Sequence, residues 1–161
     1  MRKAVRAIVI ENNNLLVMHR SKNGIQYFTL VGGRINDHET PEQALVREVQ
    51  EETELTVTSM RMVYIEEHPA PYNEQYIYLC EVAPHAGVAI SEASEEAMLN
   101  KLQSNLHEPQ WVSVKAFPQI AFRTPLLQNA IALALKKGFP TEPVILEELP
   151  PTKRFGWLRK K

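Results

Sequence analysis

The chain has 161 residues, 44% of them hydrophobic and 23% charged, with a formal net charge of −1. That length fits one compact domain with a sizeable core, and the balance of charge and apolar content excludes a disordered chain and a globally basic nucleic-acid binder. A single cysteine, Cys80, rules out an internal disulfide and lies in an apolar, strand-like run, as a buried thiol does.

The amino terminus passes from Met1-Arg2-Lys3 straight into an apolar run, without a signal-peptide segment. No stretch approaches the roughly 18 apolar residues of a membrane span, so a soluble, cytoplasmic protein is expected. Ala4 to Glu11 is apolar and β-branched, Asn12-Asn13-Asn14 reads as a turn, and Leu15 to Arg20 as a second strand, together a hairpin. Asn23-Gly24 marks another turn, and Gln26 to Val31 alternates as a third strand that runs into Gly32-Gly33, read as a turn that only glycine makes cheaply. Tyr27 and Phe28 are neighbours on that strand, so alternation sends at least one to the core and leaves the other able to stack on a base.

Thr40-Pro41-Glu42-Gln43 is a capping box, with Thr40 at the N-cap, and it predicts a helix over about Pro41 to Thr53. At 100° per residue, Glu48, Glu51 and Glu52 share an arc of roughly 100° with Ala44, while Leu45, Val46, Val49 and Thr53 occupy the neighbouring arc and can face a core. Carboxylates spaced i, i+3 and i+4 touch and repel. A positive partner is therefore expected, and Mg²⁺, which takes oxygen ligands from one or two carboxylates and a substrate's phosphates, suits such a ridge. Arg47 is placed to pair with Glu39 or Glu51.

Thr56 to Glu67 and Gln75 to Val82 read as two long strands joined by a stiff loop with Pro69, Pro71 and Tyr72. Ser91 to Asn105 is either a short helix or a loosely ordered acidic insertion. Trp111 to Val114 is a short strand. Pro125 to Lys137 is a strong amphipathic helix whose stripe of Leu126, Leu127, Ala130, Ile131, Ala134 and Leu135 belongs against the opposite sheet face from the carboxylate helix, with Gly138 as its cap. Pro143 to Leu149 can add an edge strand. Beyond Pro150-Pro151, residues 150–161 form a basic tail with Phe155 and Trp157 interleaved, suited to solvent, a subunit contact or a phosphate-rich ligand.

The stretch Gly33 to Leu55 resembles the signature box of the Nudix hydrolases. Gly33, Glu39, Arg47, Glu48, Val49, Glu51, Glu52 and Leu55 stand at matching positions, and one fixed position departs, where Glu54 replaces glycine. A non-glycine residue there costs roughly 1 kcal/mol in a left-handed helix end and removes no ligand. Val31, Asn36 and His38 also differ from residues that many family members carry around the loop.

The resemblance implies an α/β/α sandwich with a mixed β-sheet between helices, which the predicted order of strands and helices also suggests. It implies a domain over residues 1–149 and metal-dependent hydrolysis of a nucleoside diphosphate derivative, with ADP-ribose-like or dinucleoside polyphosphate substrates leading. A non-catalytic module binding a nucleotide or an RNA end is the alternative. Gly33, Glu48, Glu51 and Glu52 would hold Mg²⁺ or Mn²⁺, supported by Gly32 and Glu39. Arg47, Glu51, Glu52 and Glu108 would serve catalysis, with the base left open between a box glutamate and Glu108, behind which lie Glu95 and Glu96. Tyr27, Pro71 and Tyr72 would contact a nucleotide-derived substrate, and a homodimer is compatible with the family.

Overall fold

The computed structural model describes residues 2–67, 72–90, 94–101 and 105–147. Asn12 and Asn13 take φ of 51° and 61°, the paired positive values of the tight turn that matches strand twist. They fold strand β1 (Arg2–Glu11) back on β2 (Asn14–Lys22). Asn23 and Gly24 repeat the device at 52° and 77° and join β2 to β3 (Ile25–Thr29).

The expected third strand is two strands. After Leu30 the chain leaves β2, and β4 (Val31–Arg34) pairs antiparallel with β1, setting Arg6 opposite Gly32 and Val5 opposite Gly33. The glycine pair is therefore not a turn. It stays in a sheet ladder, and Gly32 is required by close approach: at φ 147° a Cβ would stand 1.9 Å from the Val5 carbonyl oxygen.

Helix α1 (Pro41–Thr53) starts as its capping box predicts. The Gln43 amide donates to Thr40 Oγ1 (3.1 Å), and the Thr40 amide donates to Gln43 Oε1 (3.0 Å). The helix ends at Glu54, which adopts the left-handed conformation at φ 62° while its amide donates to the Gln50 carbonyl. Val46 turns out to be exposed, not core-facing.

Strands β5 (Val57–Glu67) and β6 (Tyr72–Val82) pair antiparallel, and β6 also runs parallel to β1. Helix α2 (Glu95–Lys101) lies within the segment Ser91 to Asn105 that suggested it. The strand expected from Trp111 starts earlier, as β7 (Asn105–Ser113), because the full length of β2 is available to pair with it. A 3-10 turn at Phe117–Gln119 leads to α3 (Pro125–Lys137), and β8 (Val144–Leu146) lies parallel to β5. The sheet order is β3-β2-β1-β6-β5-β8, with β4 also on β1 and β7 on β2.

Alternation along the strands sorts the core into two layers. Val5, Ala7, Val9, Leu16, Met18, Tyr78 and Cys80 pack with Ala44, Leu45 and Val49 of α1. Ile8, Leu15, Val17 and Ile77 point the other way, onto Leu127 and Ile131 of α3. The mixed sheet is thus sandwiched between helices, each buried Leu, Ile or Val contributing about 1.5–3 kcal/mol. Burial pushes the Cys80 thiol up to about 12, as suits an inert core cysteine. Among the described residues no helix is long and apolar enough to cross a membrane. Pro71 and the basic tail lie outside the described residues, and Tyr72 is described only as the first residue of β6.

Candidate active site

One face of α1 lies against β4, so Glu48 and Glu52 leave the helix directly towards the glycine pair. Both are nearly buried, 7% and 4% exposed. The Gly32 amide donates to Glu52 Oε2 at 3.0 Å. A Cβ on Gly33 would stand 2.6 Å from the Glu48 carboxylate, so a larger residue there would have to push that carboxylate aside. Glu48 Oε2 is buried without a hydrogen-bond partner among the described residues.

Arg47 ties the neighbourhood together. Its guanidinium grips Glu39 in a two-point contact, Nε to Oε2 at 2.7 Å and Nη2 to Oε1 at 3.0 Å. It also donates to Glu48 Oε1 (2.9 Å), to Glu51 Oε2 (3.3 Å) and to the Arg34 carbonyl (3.1 Å). The pairing expected with Glu39 or Glu51 is therefore made with both. Glu39 Oε1 accepts in addition from the Asn36 amide, so the loop between β4 and α1 is closed on Arg47 from both sides.

Burial decides the electrostatics. It raises the Glu48 carboxyl to about 6 against the pull of Arg47, with Glu96 and Glu51 adding to the rise. Burial and then the Glu48 charge push Glu52 well above the usual range, while Arg6 and the Gly32 amide act against them. Glu39 is lowered, chiefly by its hydrogen bonds to Arg47. His107 falls to about 4 through burial and the adjacent Arg20 charge, so its imidazole is neutral at pH 7.

These side chains open on a cavity of about 510 Å³ whose lining includes Gly32, Gly33, Arg47, Glu48, Glu51, Glu52, Glu96, Arg6, Arg20, Arg34 and His107. The box residues are brought together, but two expectations shift. One oxygen from each of Glu48, Glu52 and Glu96 lies within 4.8 Å of the others, whereas Glu51 lines the cavity outside that trio and pairs with Arg47. Glu108 is not brought in. It sits on the exposed side of β7, 3.8 Å from His19, because strand alternation turns its neighbour His107 inward instead. The carboxylate that joins the box comes from the first turn of α2, capped by Ser94, whose Oγ accepts from the Ala97 amide (3.1 Å). Sequence spacing could not choose among Glu95, Glu96 and Glu108. Arg6 and Arg20, on β1 and β2, carry no motif that marks them in the sequence.

Tyr27 and Phe28 divide as alternation requires. Phe28 packs on the α3-side core and against His19, while Tyr27 lines a second cavity. The oxygen-only trio fits a hard divalent cation: three carboxylates converge, and one buried oxygen, Glu48 Oε2, has no hydrogen-bond partner among the described residues.

Comparisons with known proteins bear on the family and the fold. Residues 1–131 match the NUDIX domain family model. The chain is 31% identical over 115 residues to an NAD-capped RNA hydrolase NudC of Edwardsiella ictaluri, covering 71% of this chain and 39% of that protein. It is 34% identical over 70 residues to an 8-oxo-dGTP diphosphatase of Proteus vulgaris, covering 42% of this chain and 62% of that one. The chain thus spans less than two thirds of either relative. A solved ADP-ribose pyrophosphatase from Streptococcus suis superposes with a TM-score of 0.58 at 18% identity, over 89% of this chain and 98% of that one, a likeness of fold.

Proposed function

The chain belongs to the Nudix family, and we propose that it hydrolyses the diphosphate linkage of a nucleoside diphosphate derivative, with ADP-ribose-like and dinucleoside polyphosphate substrates leading and Mg²⁺ or Mn²⁺ as the bound cation. The observation that carries this reading is the convergence of two buried carboxylates, Glu48 and Glu52, with the half-buried Glu96 beside the glycine-paired strand. Such a cluster is costly to bury without a cation between its members. A divalent ion held there supplies charge neutralisation for the diphosphate and lowers the pKa of bound water towards neutrality.

The chain's own residues do the rest. Arg47 holds Glu39, Glu48 and Glu51 in register and stays charged through those contacts. Arg6, Arg20 and Arg34 line the cavity with donors for phosphate oxygens. Glu51, which lines the cavity outside the trio, is the group to accept the proton of the attacking water as the anhydride P–O bond breaks. Tyr27, which lines the adjoining cavity, would contact the substrate together with Pro71 and Tyr72. Both curated relatives are named for nucleotide-derived substrates, NAD-capped RNA and 8-oxo-dGTP, which supports that class. Glu54 does not weigh against catalysis: α1 ends there with the Glu54 amide donating to the Gln50 carbonyl, and Glu48 and Glu52 still converge with Glu96.

The test is phosphate release by purified protein with Mg²⁺ or Mn²⁺ on ADP-ribose, dinucleoside polyphosphates, nucleoside triphosphates, nucleotide sugars and capped RNA. One class is expected to turn over and to lose at least about 100-fold in rate in Glu52→Gln, which keeps the shape and removes the charge. Full activity in that variant would overturn the ligand assignment.

A further inference from the structure

A second cavity, of about 340 Å³, adjoins the first and shares Arg6, Arg20 and Thr29 with it. Its further lining includes Lys22, Tyr27 and Arg123, and no carboxylate lines it among the described residues. Arg123 lies over the Tyr27 ring at 3.8 Å, and Arg20 lies 5.6 Å from the same ring. None of these four cations, Arg6, Arg20, Lys22 or Arg123, forms an ion pair among the described residues. Cations gathered around a cavity with no carboxylate in its described lining repel one another and are stabilised by an arriving anion.

Two buried atoms at the junction point the same way. Among the described residues Arg20 Nε and Thr29 Oγ1 have no hydrogen-bond partner, and a desolvated donor without an acceptor is costly. The walls are firmly placed. The Arg123 amide donates to the Phe28 carbonyl and the Phe28 amide to the Ala121 carbonyl, both at 2.9 Å, so the loop before α3 is pinned to β3. Thr124, the next residue, caps α3 and donates to Glu66, whose Oε1 accepts from Gln75, which in turn accepts from Arg6. Arg123 and Arg6 are thus held from opposite sides through one polar chain.

We propose that this second cavity is an oxyanion subsite that binds a phosphoryl group of the substrate beyond the diphosphate held at the carboxylate trio. This selects, among the leading substrates, the dinucleoside polyphosphates with more than two phosphates over ADP-ribose. The substrate choice rests on the proposed hydrolase reading, whereas anion binding does not.

The experiment uses the full chain in EDTA at low ionic strength, titrated with inorganic phosphate and followed by backbone amide NMR. Shifts are expected at Lys22, Tyr27 and Arg123, with affinity falling about 10-fold in Arg123→Gln and in Lys22→Gln, as loss of one charge-assisted contact implies. Both side chains are exposed, so unchanged amide positions elsewhere verify the fold. No response at these residues, or a response equal in wild type and both variants, would overturn the subsite. In parallel, metal-free calorimetry with diadenosine tetraphosphate and ADP-ribose should show Arg123→Gln weakening the former only, and equal weakening of both would overturn the substrate choice. Because nothing here requires turnover, failure of the hydrolase reading leaves phosphate binding standing, and a silent titration leaves the hydrolase reading standing.

Discussion

Gly33 on β4 and Glu48 on α1 are spaced for a hydrogen atom: a Cβ at Gly33 would fall 2.6 Å from both the carboxyl carbon and Oε1 of Glu48. Strand and helix are each anchored in the core, at Val31 and at Leu45 and Val49, so neither can retreat cheaply. Gly33→Ala is therefore expected to swing the Glu48 carboxylate out of the trio and to lower Mn²⁺ affinity by about 10-fold or more, read by calorimetry on protein whose circular dichroism is unchanged. Retained affinity would mean that Glu48 is not a ligand.

Arg47 and Glu39 form the two-point contact that closes the loop on the helix. Arg47→Lys keeps the charge but loses the fork, and is expected to cost about 1–3 kcal/mol, a fall of several degrees in Tm. Glu39→Gln should cost a similar amount, and the double variant clearly less than the sum, since both remove one interaction. Additive losses in thermal unfolding would show that the pair is not coupled.

The raised Glu48 carboxyl sets a pH dependence with a definite sign. A carboxyl near 6 in the folded chain and near 4.5 unfolded binds its proton more tightly when folded, so metal-free stability falls as pH rises from 4.5 to 6. The loss is about 2 kcal/mol from Glu48, with Glu52 acting in the same direction. A cation needs both groups ionised, so the Tm gained on adding Mg²⁺ should be small at pH 5 and large at pH 7.5. A gain independent of pH would exclude these carboxylates from the metal site.

Glu54 adopts φ 62°, where an L side chain is strained. Glu54→Gly is expected to raise stability by roughly 1 kcal/mol in denaturant unfolding with activity equal or higher. A large loss of activity would reveal a contact between Glu54 and substrate.

Local chemistry was enough to determine much of this protein from the chain alone. Both paired-Asn and Asn-Gly turns, the Thr40 capping box, the carboxylate face of α1 and the α3 stripe depend on residues within a few positions of one another, and each stands as read. Alternation separated Tyr27 from Phe28, and the apolar stripe of α3 belonged on the sheet face opposite α1, where it lies. What needed the tertiary structure was every relation across the sheet. Gly32 and Gly33 read as a turn because glycine is permissive there, yet the pressure on them comes from Val5 and Glu48, 27 and 15 positions away. Glu96, not Glu108, joins Glu48 and Glu52 because pairing of β7 with β2 turns His107 inward and Glu108 out, and α2 then lowers Glu96 over the cavity. Arg6, Arg20 and Arg123 carry no motif, and only the packing of three separate segments makes them one cationic wall.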